Sequence, residues 1–277
     1  MTRAATDARG ESTGLLEGPG LVAAARTDRG PVREENQDAF VCRPDLGLFA
    51  VIDGMGGHQG GQTAATLMRE TLLAEPDLEK ALATANARIL TRAQRDPDLA
   101  GMGCVVSALR LANDGARVAH VGDTRIYLTG DLGCEQLTRD HTVAAVRQEE
   151  MGVSEGRARD LGGHNQVTRD VGGRLRDGGE WIDRLEIALE PDDLLVLCSD
   201  GLHGALSRDD LMSRLRQARR DGAPCEALAE ELVELALANG TRDNVTAVVV
   251  RCLERVGWPA GRPTEGWLKR LWKELSQ

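Results

Sequence analysis

The stretch from Leu48 to Gly61, LFAVIDGMGGHQGG, limits what this chain can fold into more than any other. An apolar run ends in one carboxylate, Asp53, and five glycines follow within eight residues, at 54, 56, 57, 60 and 61. Such a run reads as a buried strand. The glycines make a loop whose backbone can approach a ligand closely. That loop has three uses open to it: to cradle a phosphate, to hold a metal, or to turn a corner. The phosphate cradle fails on pattern. There is no GxxxxGK[ST] anywhere, and Gln59 stands where GxGxxG needs its third glycine.

The same strand grammar recurs along the chain. LVAAART, AFVC, GCVVSALRLA, ARVAHVGD, TRIYLTG, EQLTRD, EWIDRLEIALE, DLLVLCSD and NVTAVVVRCL are short runs bounded by Gly, Asp, Asn or Pro. Asn113-Asp114-Gly115 supplies hairpin-turn chemistry. The period changes over Gln62–Ala74 and Leu78–Arg95, where Leu78, Leu82, Ala85 and Ile89 share one helical face. Ser207 with Asp210 resembles a capping box opening a helix to Arg220, and another helix spans about 224–238. Strands at both ends with a helical pair inside predict an α+β fold rather than alternating βαβ units. Residues 1–18 read as a flexible tail and 19–254 as the main domain. Within it, 141–180 is rich in Arg, Asp, Glu and Gly, and reads as short helices in a lid-like flap. Residues 255–277 form a separable tail. Trp267, Leu268, Leu271, Trp272 and Leu275 lie there on one helical face, which suits packing on the domain or, alternatively, docking to a partner.

The formal net charge of −10 over 277 residues disfavours nucleic-acid binding through phosphate neutralisation. It leaves phosphate chemistry open where metals or local arginines supply positive charge. The six cysteines are scattered with no CxxC pair, as expected of buried thiols in a reducing compartment. The N-terminal residues carry no signal-peptide core, and no apolar run approaches membrane-spanning length. These features together predict a cytoplasmic protein with no membrane insertion.

Asp53 is one of five acids at the ends of predicted strands. Asp200 closes LLVLCSDG, Asp123 closes VAHVGD, Asp243 precedes the last strand, and Asp38 opens an early one. Singly, an Asp-Gly is most simply a turn. Jointly, convergent strand ends would collect like charges that need protons or cations. Oxygen ligands with water suit Mg²⁺ or Mn²⁺. Zinc fits poorly, because the five histidines show no ligand spacing. Arg33 precedes Asp38 by five residues. It suits a bidentate grip on a phosphoryl group, although a lone arginine is more often an ion-pair partner.

Six ordered stretches now resemble one family: TDRGPVREENQDAF, LFAVIDGMGGHQGG, VAHVGDTRIYL, LTRDHT, LLVLCSDGL and NGTRDNVTAVVV. The chain resembles the metal-dependent Ser/Thr protein phosphatases, the protein phosphatase 2C family, in its bacterial branch, over about residues 20–253. The resemblance implies two packed antiparallel sheets flanked by helices, a four-layer αββα sandwich. It implies that Asp38 and Asp53 hold a two-metal centre of Mn²⁺ or Mg²⁺, with the Gly54 carbonyl as a further ligand. Asp200 and Asp243 would complete it, one on each metal, and Asp123 would serve a third, weaker site shared with Asp200. Arg33 would bind the substrate phosphate and Asn244 would fix the Asp243 loop. A water bridging the two cations would attack phosphorus, so Arg33, Asp38 and Asp53 carry the catalytic roles. The implied partners are a phosphorylated protein and a bacterial Ser/Thr kinase that it opposes. The chain departs from the family pattern in three places. Met55 stands where some members carry a proposed general-acid histidine, Cys104-Val105 replaces two threonines, and His203 follows SDGL. The competing reading is a pseudophosphatase that binds phosphoproteins. Two further readings, a regulatory switch and a tail tethered to an envelope assembly, have less support.

Overall fold

A strand in the middle of a layered protein must bury both its faces, and Leu48–Met55 does so. The computed structural model describes residues 5–6, 10–56, 59–112, 115–173 and 181–256. The chain begins with β1 (Ala5–Thr6), β2 (Gly10–Ser12), β3 (Leu16–Gly18), β4 (Leu21–Asp28), β5 (Asp38–Arg43) and β6 (Leu48–Met55). Helices α1 (Gly60–Ala74) and α2 (Leu78–Arg95) follow, then β7 (Gly103–Ala112), β8 (Gly115–Val121), β9 (Arg125–Gly130) and β10 (Gly133–Gln136). The flap carries α3 (Val143–Met151) and α4 (Glu155–Asp160). The rest is β11 (Asp183–Ile187), β12 (Leu194–Cys198), α5 (Asp200–His203), α6 (Arg208–Arg220), α7 (Cys225–Ala238) and β13 (Val245–Cys252).

One sheet has eight strands in the order β1-β2-β4-β13-β12-β9-β10, with β3 also paired to β4. The other has five, in the order β11-β8-β7-β6-β5. Neighbours in both sheets run antiparallel. Alternation along each strand builds the layers. In β6, Leu48, Ala50 and Ile52 face α1 and α2, while Phe49 and Val51 face the other sheet. In β12, Leu195 and Leu197 face inward, while Leu194, Val196 and Cys198 meet α6 and α7. In β13, Val248 and Val250 face inward, while Val245, Ala247 and Val249 turn to the same helices. The result is the four-layer αββα sandwich expected from the resemblance.

Local chemistry explains the helix boundaries. Asp77 caps α2 by accepting from the Lys80 amide at 3.1 Å, and Pro97 bars continuation past Asp96. Thr142, Ser154 and Ser207 cap α3, α4 and α6 in the same way. The expected tail over 1–18 is corrected in part. Gly10–Ser12 and Leu16–Gly18 add strands to the outer edge of β4 at two separate registers. Their polar, Gly-bearing composition hides this, because the pairing uses backbone groups and not an apolar face. The expected C-terminal helix with Trp267 and Trp272 lies outside the described residues, as do His58 and the Asn113-Asp114 turn. No described helix is long and apolar enough to cross a membrane.

Phe49 is fully buried between the sheets, so Phe49→Ala should cost about 3–5 kcal/mol. Denaturant unfolding would read this as a lower midpoint with an unchanged slope.

Candidate metal centre

The two sheets meet at one end along a seam, and the acids gather there. Asp38 opens β5 and lies directly opposite Asp53 at the end of β6. Both belong to the five-stranded sheet. The grip on Asp38 comes from the other sheet. Its Oδ2 accepts from Ser199 Oγ at 2.7 Å and from Thr246 Oγ1 at 2.6 Å. Thr246 is 2.7 Å from Thr27, whose hydroxyl accepts from the Asn36 amide at 2.9 Å. A buried hydroxyl in an apolar strand needs such partners.

Asp200 begins α5, immediately after β12. Its Oδ1 is buried and has no hydrogen-bond partner. Asp243 sits in the loop before β13. Its Oδ2 meets Arg33 Nη2 at 2.6 Å, and its Oδ1 accepts from the Asn244 amide at 2.9 Å. Asn244 is the clasp of this region. Its Oδ1 accepts from the Gln37 amide at 2.8 Å, and its Nδ2 donates to the Arg29 and Glu35 carbonyls at 2.8 and 2.9 Å. Asp123 follows β8 and is buried, and its carbonyl accepts from His203 Nε2 at 2.9 Å.

The glycines after the acids answer a packing demand. A Cβ on Gly54 would overlap the Gly61 carbonyl and lie 2.7 Å from the Gln37 oxygen. A Cβ on Gly201 would overlap the Asn244 carbonyl. Only glycine lets these loops close on the acids. The described carboxylates do not by themselves converge on one point in a ready group of three or more His, Cys, Asp or Glu ligands.

Electrostatics gives the clearest test of fit. Burial pushes Asp38 up to about 7, against the hydroxyl bonds and with help from Asp200 and Asp243. Burial, then the charges of Asp38, Asp200, Asp123 and Asp243, hold Asp53 well above the usual carboxylate range. Burial and then Asp200 raise Asp123 to about 8. Burial and then Asp243 raise Asp200 to about 6, while Arg33 and a hydrogen bond with Asp53 pull it back. Four acids that resist ionisation beside one orphaned oxygen form a site short of positive charge. The structure therefore brings Arg33, Asp38, Asp53, Gly54, Asp123, Asp200 and Asp243 to one seam.

Several neighbours were not legible as site residues. Ser199, Thr246, Thr27 and Asn36 looked like ordinary strand and loop residues. The only signal was a hydroxyl inside an apolar run. His141 lies in the loop before α3 and is buried. Its Nδ1 accepts from the Gly122 amide at 3.0 Å, and its Nε2 lies 3.0 Å from Asp183. His120 is a satisfied core histidine between Ser107 Oγ and the Arg139 carbonyl, each at 2.9 Å. Burial lowers it to about 4. Cys104 is buried, and its backbone pairs with Gly54 on one side and Val171 of the flap on the other.

Residues 32–236 match the family model described as protein phosphatase 2C. The chain is 33% identical over 237 residues to the serine/threonine protein phosphatase PstP of Mycobacterium tuberculosis, across 82% of this chain and 44% of that protein. It is 29% identical over 245 residues to the serine/threonine phosphatase stp of Listeria welshimeri, across 82% of this chain and 94% of that one. A crystal structure of the PstP catalytic domain with two manganese ions matches it with a TM-score of 0.72 and 31% identity, covering 84% of this chain and 99% of that one. The chain belongs to the protein phosphatase 2C family. It spans less than half the length of the mycobacterial relative.

The raised acids predict how stability depends on pH. Asp38, Asp53, Asp123 and Asp200 bind protons more tightly folded than unfolded, so their contribution is complete below about pH 4 and lost as pH rises toward 8. His120 and His203, both lowered by burial, oppose this only below about pH 6.5, because above it they are neutral in both states. The melting temperature in chelator should therefore fall between pH 6.5 and 8. Added Mn²⁺ should restore it most at the higher pH. A melting temperature flat across that window would contradict the arrangement.

Proposed function

We propose that this chain hydrolyses phosphoserine and phosphothreonine esters on proteins with Mn²⁺ or Mg²⁺ as cofactor. The observation that carries the reading is a row of buried carboxylates along one seam that hold one another's protons, with the Asp200 Oδ1 atom unpartnered. Asp38, Asp53 and the Gly54 carbonyl would hold the cation pair, with Asp200 and Asp243 completing the set. Asp123 would serve a third site shared with Asp200. When bound, such cations lower the pKa of water and offset charge on phosphoryl oxygens.

The chain's own residues do the positioning. Ser199 and Thr246 fix the Asp38 rotamer by occupying one of its oxygens, which leaves the other for a ligand. Asn244 holds the Asp243 loop against the loop that carries Arg33. Arg33 is half exposed and paired to Asp243. A cation on Asp243 would weaken that pair and free the guanidinium for two phosphoryl oxygens. Met55 ends β6 at the centre with no titratable proton, so protonation of the leaving oxygen falls to water. The expected substrates are phosphoproteins, and the expected partner is a Ser/Thr kinase acting in the cytoplasm.

Hydrolysis of a phosphothreonine peptide with and without Mn²⁺ tests the reading. Wild type should turn over only with metal, and Asp200→Asn should lose activity by about a hundredfold or more. Correct folding and metal binding with no turnover in wild type would favour a phosphoprotein-binding module instead.

A further inference from the structure

A cleft of about 1310 Å³ runs from Arg33, Asp123, Asp200 and Asp243 outward between the flap helices and the α5–α6 segment. Most charges along it are already matched. Arg125 is buried and holds Asp140 at 2.6 Å and Glu155 at 2.7 Å. Arg139 is paired with Glu149, and Arg33 with Asp243. Three arginines remain: Arg159 on α4, Arg208 at the start of α6, and Arg242 in the loop before β13. None of their guanidinium groups makes a hydrogen bond or ion pair among the described residues. Asp160 also lines the cleft, and Arg125 answers two carboxylates with one charge, so away from the carboxylate centre five arginines (125, 139, 159, 208 and 242) face four acids (140, 149, 155 and 160).

This local excess of one positive charge runs against a chain whose formal net charge is −10. It is also not explained by helix stability at Arg208. That residue is the first of α6, where the helix dipole favours anions over cations. Arg159 reaches across the cleft. One of its terminal nitrogens lies 4.0 Å from where a Cβ on Gly204 would stand, on the opposite wall beyond α5. Three unpaired guanidinium groups on three separate elements therefore border the path a phosphoprotein must take to the acids. Each can take a carboxylate or phosphoryl group in a forked contact.

Resting on the phosphatase reading, we propose that this cleft selects phosphoproteins whose phosphorylated residue is flanked by anionic side chains. Arg159, Arg208 and Arg242 are the specificity-determining residues. The anion is Asp or Glu of the substrate, or a second phosphoryl group.

The test uses full-length protein with Mn²⁺ and four phosphothreonine peptides of equal length. Their flanks are neutral, Asp/Glu-rich, Lys-rich, or carry a second phosphoserine. An aryl phosphate too small to span the cleft serves as a fifth substrate. Either anionic flank should raise kcat/KM about tenfold over the neutral peptide, the scale of two or three exposed charge pairs. The gain should lie mainly in KM and shrink at high salt. The Asp/Glu and phosphoserine arms tell which anion is preferred. In the Arg159→Ala/Arg208→Ala/Arg242→Ala variant the ratio of anionic to neutral kcat/KM should fall to about one. Arg159→Glu with Arg242→Glu should reverse the preference toward the Lys-rich peptide, which a merely misfolded variant could not do. Equal kcat/KM on all four peptides, with the aryl phosphate hydrolysed, overturns the inference and leaves the phosphatase reading standing. No hydrolysis of any of the five substrates overturns both.

Discussion

One carboxylate ties the two sheets together at the end that matters. Asp38 belongs to the five-stranded sheet, yet its Oδ2 is held by Ser199, the residue after β12, and by Thr246 of β13, both on the side of the eight-stranded one. The contact is buried and charged or proton-bearing, so its geometry is costly to disturb. Apolar packing between Phe49, Val51, Leu195, Leu197, Val248 and Val250 brings the sheets into contact, but it is tolerant of small sliding. The hydroxyl grip is directional. It sets which ends of β5, β6, β12 and β13 face one another, and so where Asp53, Asp200 and Asp243 fall.

The same seam stores an electrostatic imbalance that elsewhere is avoided. Away from it, buried charge is matched locally. Arg125 pairs with both Asp140 and Glu155, and the His141 ring with Arg169 holds Asp183 down to about 2. At the seam, Asp38, Asp53, Asp123 and Asp200 are all held above their usual range, although half-exposed Arg33 acts on Asp200 and Arg125 on Asp123. Arg33 grips Asp243 at the seam, yet no described guanidinium hydrogen-bonds Asp38, and the Asp200 Oδ1 atom has no partner. That contrast separates a binding site from a structural ion-pair network more sharply than any single shift does.

Much of this was legible in the order of residues, for a definite reason. A strand buried on both faces is a nearly continuous apolar run, so the first acid after it marks the strand end. Asp53 and Asp200 announced themselves in that way, and α2 showed its face through Leu78, Leu82, Ala85 and Ile89. What stayed hidden depended on partners distant in sequence. Thr246 and Asp38 are separated by more than two hundred residues, and a threonine in a strand is common. β2 and β3 were hidden because they attach through backbone groups. The glycines after the acids looked like devices for approaching a cation. The packing around Gly54 and Gly201 shows a prior demand, the close approach of one loop backbone to another.

The flap is joined to the centre by backbone and not by side-chain packing alone. Val171 exchanges hydrogen bonds with Cys104 at 2.8 Å in each direction, and Cys104 pairs in turn with Gly54 across β6–β7. Thr168 donates to the His141 carbonyl at 2.8 Å, while the His141 ring takes the Gly122 amide next to Asp123. Both roots of the flap therefore end one residue from an acid of the centre. The flap that walls the outer cleft is thus hydrogen-bonded, through Cys104 and His141, to the backbone beside Asp53 and Asp123. The backbone of Cys104 makes the connection, and its side chain need only be small and buried.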